Sequence, residues 1–273
     1  MKTSRPVARC LLCGLMAVAG PRTGARAAEA PSASIFTRDY VDSVWNDTQA
    51  IVLGPAHWDR SDWVEAGGLA ALVAGTSVFD RHIRDSVQAH RTASLDNFAR
   101  QAQGLGSQYS WAVLAGFEAE GVLNHDAVAQ ATAMDGLTAS IIASGIITPV
   151  LKYTVGRVRP NRATRTFQFK PFSGNYSFPS GHATQAFAVA SVIAAHYDAW
   201  WEQGLSYGLA GLVGYARIEQ NAHFASDVVA GAVIGTVVGR AVVHRHEPSK
   251  PGQYSVAPFF NGTTTGLVVA RAW

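Results

Sequence analysis

Cysteine is nearly absent from the 273-residue chain: there are two, Cys10 and Cys13, both close to its start. An exported chain that loses this segment has no thiol and no disulfide, which excludes a disulfide-stapled scaffold and leaves stability to packing. Charge is scarce as well, at 15% of residues against about 25% in an average soluble domain. Acids are missing altogether from residues 1–27, where Lys2, Arg5 and Arg9 precede a short apolar run and Ala25-Arg26-Ala27. That is the layout of a secretory signal peptide, cleaved near Ala27. The apolar run from Cys10 to Gly20 is too short for an anchor, which needs about 20 residues. Removing Lys2, Arg5, Arg9, Arg22 and Arg26 from twenty-two basic residues leaves seventeen against nineteen acids. The mature chain is therefore near neutral, and the pI of about 9.0 does not indicate a nucleic-acid partner.

Long hydrophobic runs are also lacking. Six Ala/Gly-rich apolar segments, Val64–Phe79, Ser110–Leu123, Gly136–Leu151, Ala183–Trp201, Gly204–Ile218 and Val228–Val243, read as helices by length and composition. Each falls below the ~20 residues of a membrane span. The low charge favours a membrane, whereas a mean hydropathy of +0.08 and the interior Glu118 and Glu120 favour water. If a cleaved signal delivered the chain outside and all six helices crossed, Lys152 and the residues after it would lie on the cytoplasmic face. The preferred reading is thus a periplasmic or extracytoplasmic protein whose helices pack on one another, with a membrane as a further contact; an integral inner-membrane protein is the alternative.

Around these helices lie an N-terminal arm (28–60) and an amphipathic surface stretch in which Ile83, Val87, Leu95 and Phe98 recur at helical spacing. The tail (248–273) reads as a β-hairpin turning at Asn261-Gly262. With no internal repeat or low-complexity linker, residues 61–247 read as one all-α domain carrying a small β tail.

Three clusters carry chemistry. Lys152, Arg157 and Arg159-Pro160 gather three cations where the third apolar helix ends; alone, they suit a solvated helix terminus. Pro179-Ser180-Gly181-His182 precedes the next helix, and its free N–H groups and capping serine suit an anion, which Gly181 allows close to the backbone. Third, His223 and Asp227 are four apart and share a face if helical, so the carboxylate can hold the imidazole. A zinc site of His182, His223 and Asp227 is conceivable. It is disfavoured because Lys152, Arg159 and Arg217 in the same pocket would repel a cation and hold a phosphate.

In this order the clusters resemble the signature of the type 2 phosphatidic acid phosphatase superfamily: K-x6-RP, PSGH and SR-x5-H-x3-D. The chain supplies Lys152 with Arg159-Pro160, Pro179-Ser180-Gly181-His182, and Arg217 with His223 and Asp227; Ala216 stands where the family usually has Ser. The resemblance runs from about Asp80 to Val243 and implies a six-helix core bundle. It also implies a phosphatase without cofactor or metal, acting on a phosphomonoester or diphosphate. Lys152, Arg159, Ser180, Gly181 and Arg217 would bind phosphoryl oxygens. His223 would form a phosphohistidine, Asp227 would orient it, and His182 would serve as acid and then base. The same superfamily includes vanadium-dependent haloperoxidases, one alternative; a non-catalytic phosphate- or lipid-binding protein is another. A lipid phosphate and a soluble phosphorylated small molecule both remain open as substrate, and the sequence gives no oligomeric state.

Overall fold

In the computed structural model, residues 37–247 are described, together with the backbone of 254–260 and 265–271. The expected signal segment and the Asn261-Gly262 turn lie outside the described residues. The helices are α1 (Arg38–Leu53), α2 (Arg60–Val78), α3 (Asp80–Ala89), α4 (Ala93–Ala102), α5 (Gln108–Asn124), α6 (Ala127–Ser140), α7 (Thr148–Val155), α8 (Gly181–His196), α9 (Trp200–Glu219) and α10 (Ala225–His246). The tail strands β1 (Tyr254–Phe260) and β2 (Thr265–Arg271) pair antiparallel, Tyr254 opposite Arg271.

Each of the six apolar segments falls on helix, but the count of six is too low. Segments with polar faces, α1, α3 and α4, add helices that a search for apolar runs passes over. The run Ala183–Trp201 is also divided, because the chain is non-helical between His196 and Trp200. Within Gly136–Leu151 the helix widens into a π-helix at Ile141–Ile147. Pro149 follows it and has no N–H for the preceding turn, which accounts for the irregularity.

The core is built on α8 and α10. A cluster of Ala139, Ile142, Ala143, Ala188, Val192, Val238, Val242 and Val243 joins them to α6 and the π-helix. Glycines 231, 235 and 239 line one side of α10 and meet α8 directly; a Cβ at Gly231 would stand 2.6 Å from the Ser180 carbonyl oxygen. The helices therefore close almost backbone to backbone, and their N-terminal ends come together: Ser180 N–H donates to the Asp227 carbonyl at 2.9 Å. The stretch expected as an arm is docked by α1, whose Tyr40 hydroxyl meets Thr138 Oγ1 at 3.0 Å. Two helical stretches, 127–155 and 225–246, are long and apolar enough to cross a membrane, and about half of each apolar window is buried within the protein.

Candidate active site

The pocket forms where α7 ends and α8 and α10 begin. Gly156, in the left-handed region at φ +60°, caps α7 and turns the chain into a long connection (156–180). Lys152, in the last turn of α7, bends its Nζ toward the carbonyls of Tyr176 (2.8 Å) and Pro179 (2.7 Å). Ser180 caps α8, its hydroxyl accepting from Ala183 N–H at 3.5 Å. The helix begins at Gly181, so Pro179 lies just outside it rather than in its first turn. A Cβ on Gly181 would stand 3.6 Å from Lys152 Cε, which places the lysine stem over the start of α8.

His223 and Asp227 come together by a different route from the expected helical one. The helix α10 starts only at Ala225, after a turn in which Asn221 adopts φ +53°. Asp227, in the first helical turn, reaches back to accept from Phe224 N–H at 2.9 Å. His223 Nδ1 then lies 3.8 Å from Asp227 Oδ2 but only 2.7 Å from the Ser177 carbonyl oxygen. A carbonyl can only accept, so Nδ1 carries the proton and Nε2 keeps its lone pair. Asp227 acts one step removed: Ser177 Oγ donates to its Oδ2 at 2.6 Å.

Behind this pair stands a closed ionic network that the motifs did not disclose. Arg157 donates through Nη1 to Asp227 Oδ1 and Ser226 Oγ, each at 2.7 Å, and through Nη2 to Asp80 Oδ2 at 2.8 Å. Ser226 in turn donates its N–H and Oγ to Asp80, at 2.8 and 2.5 Å. The guanidinium also faces the Phe224 ring, 4.2 Å from its centroid. All of these side chains are buried, so Asp227 is fixed by a fork of donors that water cannot replace. Burial alone would raise the Asp227 carboxyl; the neighbouring His223, the Arg157 charge and the Ser177 hydroxyl outweigh it and hold it below the usual range. The available signal for Arg157 was its place as the third cation of the first cluster. Asp80 and Ser177 carried none.

Arg217 Nη1 donates to Gln103 Oε1 and, at 2.8 Å, to Gln220 Oε1. Ala216 packs against Ala99 and Ala102 of α4, so the missing hydroxyl corresponds to a tight helix contact, and glutamines hold the arginine instead. Burial, then Arg217, His223, Lys152 and Arg159, push the His182 imidazole down to about 4. The influence of these four groups thus converges on one place. Burial, with Lys152 and Arg217 against the opposing pull of Asp227, likewise lowers His223 to about 4. Burial first, then Arg159 and Arg217, lowers Lys152 to about 8 despite Asp227. Cations that lower one another in this way form a receptacle for an anion. Among the described residues no group of three His, Cys, Asp or Glu side chains is arranged to hold a metal ion.

Comparison with known proteins points the same way. The PAP2 superfamily profile matches residues 136–250. The chain is 37% identical over 90 residues to a lipid A 1-phosphatase of Porphyromonas gingivalis, covering 32% of this chain and 18% of that protein. It is 33% identical over 104 residues to a lipid A 1-phosphatase of Rhizobium etli, covering 36% and 44%. With an undecaprenyl-diphosphatase of Sulfolobus acidocaldarius it shares 30% over 102 residues, covering 37% and 48%. The chain thus spans less than half the length of each of these relatives. Among solved structures, Aquifex aeolicus LpxE is similar at 24% identity and a TM-score of 0.49, over 61% of this chain and 95% of that one. The PAP2 superfamily match, residues 136–250, holds all eight expected site residues.

Proposed function

We propose that the protein is a metal-independent phosphatase that hydrolyses a phosphomonoester or diphosphate of a lipid through a phosphohistidine at His223. One observation carries the reading: a neutral imidazole, its Nδ1 proton committed to the Ser177 carbonyl at 2.7 Å, stands in the field of Lys152 and Arg217. A metal-binding or merely structural histidine does not need that combination.

The reaction follows from the roles this geometry permits. Lys152, Arg159 and Arg217 hold the phosphoryl oxygens with the α8 N-terminus, where Ser180 and the Gly181 amide sit. His223 Nε2 attacks phosphorus, and the bond to the ester oxygen breaks as His182 gives that oxygen a proton. A water then attacks phosphorus, losing its proton to His182 and releasing His223. The Arg157–Asp227–Ser177 chain keeps the imidazole aimed and stabilises the positive charge it carries while phosphorylated. The lipid assignment draws support from the relatives, two of which are lipid A 1-phosphatases, and the chain's placement outside the cytoplasm rests on the N-terminal pattern.

Phosphate release from a detergent-dispersed lipid phosphate and from a soluble phosphomonoester, both with EDTA, tests the reading. His223→Ala is expected to lose about 10³-fold or more, and acid-labile label from ³²P-substrate should appear on the wild type only. Full turnover by the variant would defeat the proposal.

A further inference from the structure

Between Gly136 and Tyr197 the chain has six cations, Lys152, Arg157, Arg159, Arg162, Arg165 and Lys170, and no Asp or Glu. Lys152 and Arg159 belong to the pocket and Arg157 is buried, but Arg162, Arg165 and Lys170 are exposed on the connection 156–180. The same connection turns Phe167, Phe169, Phe172 and Tyr176 outward, each 45–63% exposed, beside Tyr153 at the end of α7.

These rings are not carried by a slack loop. The connection folds back on itself: Val158 N–H donates to the Gln168 carbonyl at 2.9 Å, Lys170 N–H to Gly156 at 2.8 Å, and Phe172 N–H to Tyr153 at 2.9 Å. Phe172 adopts φ +59°, a left-handed backbone unfavourable for a bulky residue, and its ring meets Tyr153 edge-on with centroids 5.2 Å apart. An ordered flap therefore holds aromatic rings in solvent among positive charges that have no ion-pair partner among the described residues. By contrast, the exposed Trp63 and Val64 stand beside Asp62 and Glu65, and Trp200 and Trp201 beside Glu202.

We infer that this flap docks the protein on an anionic phospholipid bilayer, its rings entering the headgroup layer and Arg162, Arg165 and Lys170 facing lipid phosphates. The purpose of docking rests on the phosphatase reading: the flap begins at Gly156 and ends at Ser180, so seating it turns the pocket toward phosphates at the lipid surface. Rings and cations together match the chemistry of that interface, apolar just below and anionic at the plane.

The test places a polarity-sensitive fluorophore at Phe167→Cys in the full chain carrying Cys10→Ser and Cys13→Ser. Vesicles of phosphatidylcholine, with or without phosphatidylglycerol, are then added. A blue shift is expected with phosphatidylglycerol, weakened by salt. The combined Arg162→Glu, Arg165→Glu and Lys170→Glu chain should need at least about tenfold more anionic lipid for the same shift. An equal response to both vesicle types, or a shift that survives the charge reversal, overturns the inference. On phosphatidylglycerol vesicles bearing a lipid phosphate, the reversed chain should also lose about tenfold in kcat/KM while keeping its turnover of a soluble phosphomonoester, which reports that it is folded. Absence of any His223-dependent turnover would instead defeat the phosphatase reading, and the fluorescence result would still decide the docking surface.

Discussion

Near the pocket, Arg157, Asp80 and Asp227 are sealed from solvent, their side chains at most 3% exposed; a second ionic cluster, where α8 and α10 end, is half open. There His246 Nδ1 meets Asp135 Oδ1 at 2.6 Å and its Nε2 meets Asp47 Oδ2 at 2.9 Å. Arg245 donates to Asp47 at 2.8 Å, and His196 pairs with Asp135 at 2.8 Å. The two clusters are separated by the length of α8, 16 residues, or about 24 Å at 1.5 Å per residue. Both neutralise two buried aspartates, but the cation differs. Beside the pocket it is the planar guanidinium of Arg157, whose two terminal nitrogens reach both aspartates at once. At the far end it is the His246 imidazole, with Arg245 beside it on Asp47, so the clasp holding α1 to α6 and α10 is sensitive to pH. The fork that spans both aspartates is found where orientation matters, and the titratable imidazole where only cohesion does.

The sharpest way to break this comparison is to remove the guanidinium. Arg157→Leu leaves Asp80 and Asp227 buried without a cation, and urea unfolding should show a loss of about 3–5 kcal/mol. Arg157→Lys keeps the charge and loses the fork that spans Asp80, Ser226 and Asp227. It should fold, with KM nearly unchanged because the phosphate ligands are untouched, and kcat lowered by about 10²-fold through a misaimed His223. A lysine variant with full kcat would reduce Arg157 to a structural role.

Asp135→Asn makes the matching cut at the far end, where the cluster is partly hydrated and the expected loss is smaller, about 1–3 kcal/mol. Its folded fraction should keep the wild-type kcat; a fall like that of the lysine variant would show that the two clusters are coupled. The pH response separates them further. Hydrogen bonds donated to Asp135 and Asp47 raise His246 from 6.5 to about 10. A raised cation stabilises the fold fully below the unfolded value and loses that contribution as pH rises through the folded one, here between about 6.5 and 10. Thermal unfolding of the wild type should weaken across that window, and His246→Gln should flatten the decline. On the acid side, burial would raise Asp135, but the bonds from His196 and His246 outweigh it and hold it low, so stability should fall again as that carboxyl protonates.

The legible parts of this protein are those that repeat a local pattern or cluster in sequence. Apolar runs marked helices, and short clusters marked Lys152, Ser180, His182, Arg217, His223 and Asp227. Features made by distant pairing were not legible: Asp80 and Arg157 are 77 positions apart, and Asp47 and His246 are 199. The four-residue step from His223 to Asp227 suggested a shared helical face. Instead a turn at Asn221 and a helix starting at Ala225 interpose the Ser177 carbonyl, because Asp227 is already occupied by Phe224 N–H, Ser177 Oγ and Arg157. Nor could the sequence assign Ala216, whose reason is the pressure of Ala99 and Ala102 from α4.

The smallest effect is the most specific to the pocket. His182 and His223 both lie near 4, first through burial and then through cations around them. The proposed mechanism requires His223 neutral and His182 protonated, so kcat/KM, which reports the free enzyme, should be limited by groups titrating near that value. A bound phosphate brings negative charge among Lys152, Arg159 and Arg217 and cancels the repulsion that lowered both rings, so both pKa values rise in the complex. The falling limb of the kcat profile should therefore lie at higher pH than that of kcat/KM, by about one unit or more, and Arg217→Gln should narrow the gap by removing one of the cations that lower His182. Arg157→Lys should leave the gap intact, since its charge is kept. If the two profiles superimpose, the cations are not what sets the His182 proton affinity, and its role as the acid would have to pass to another group.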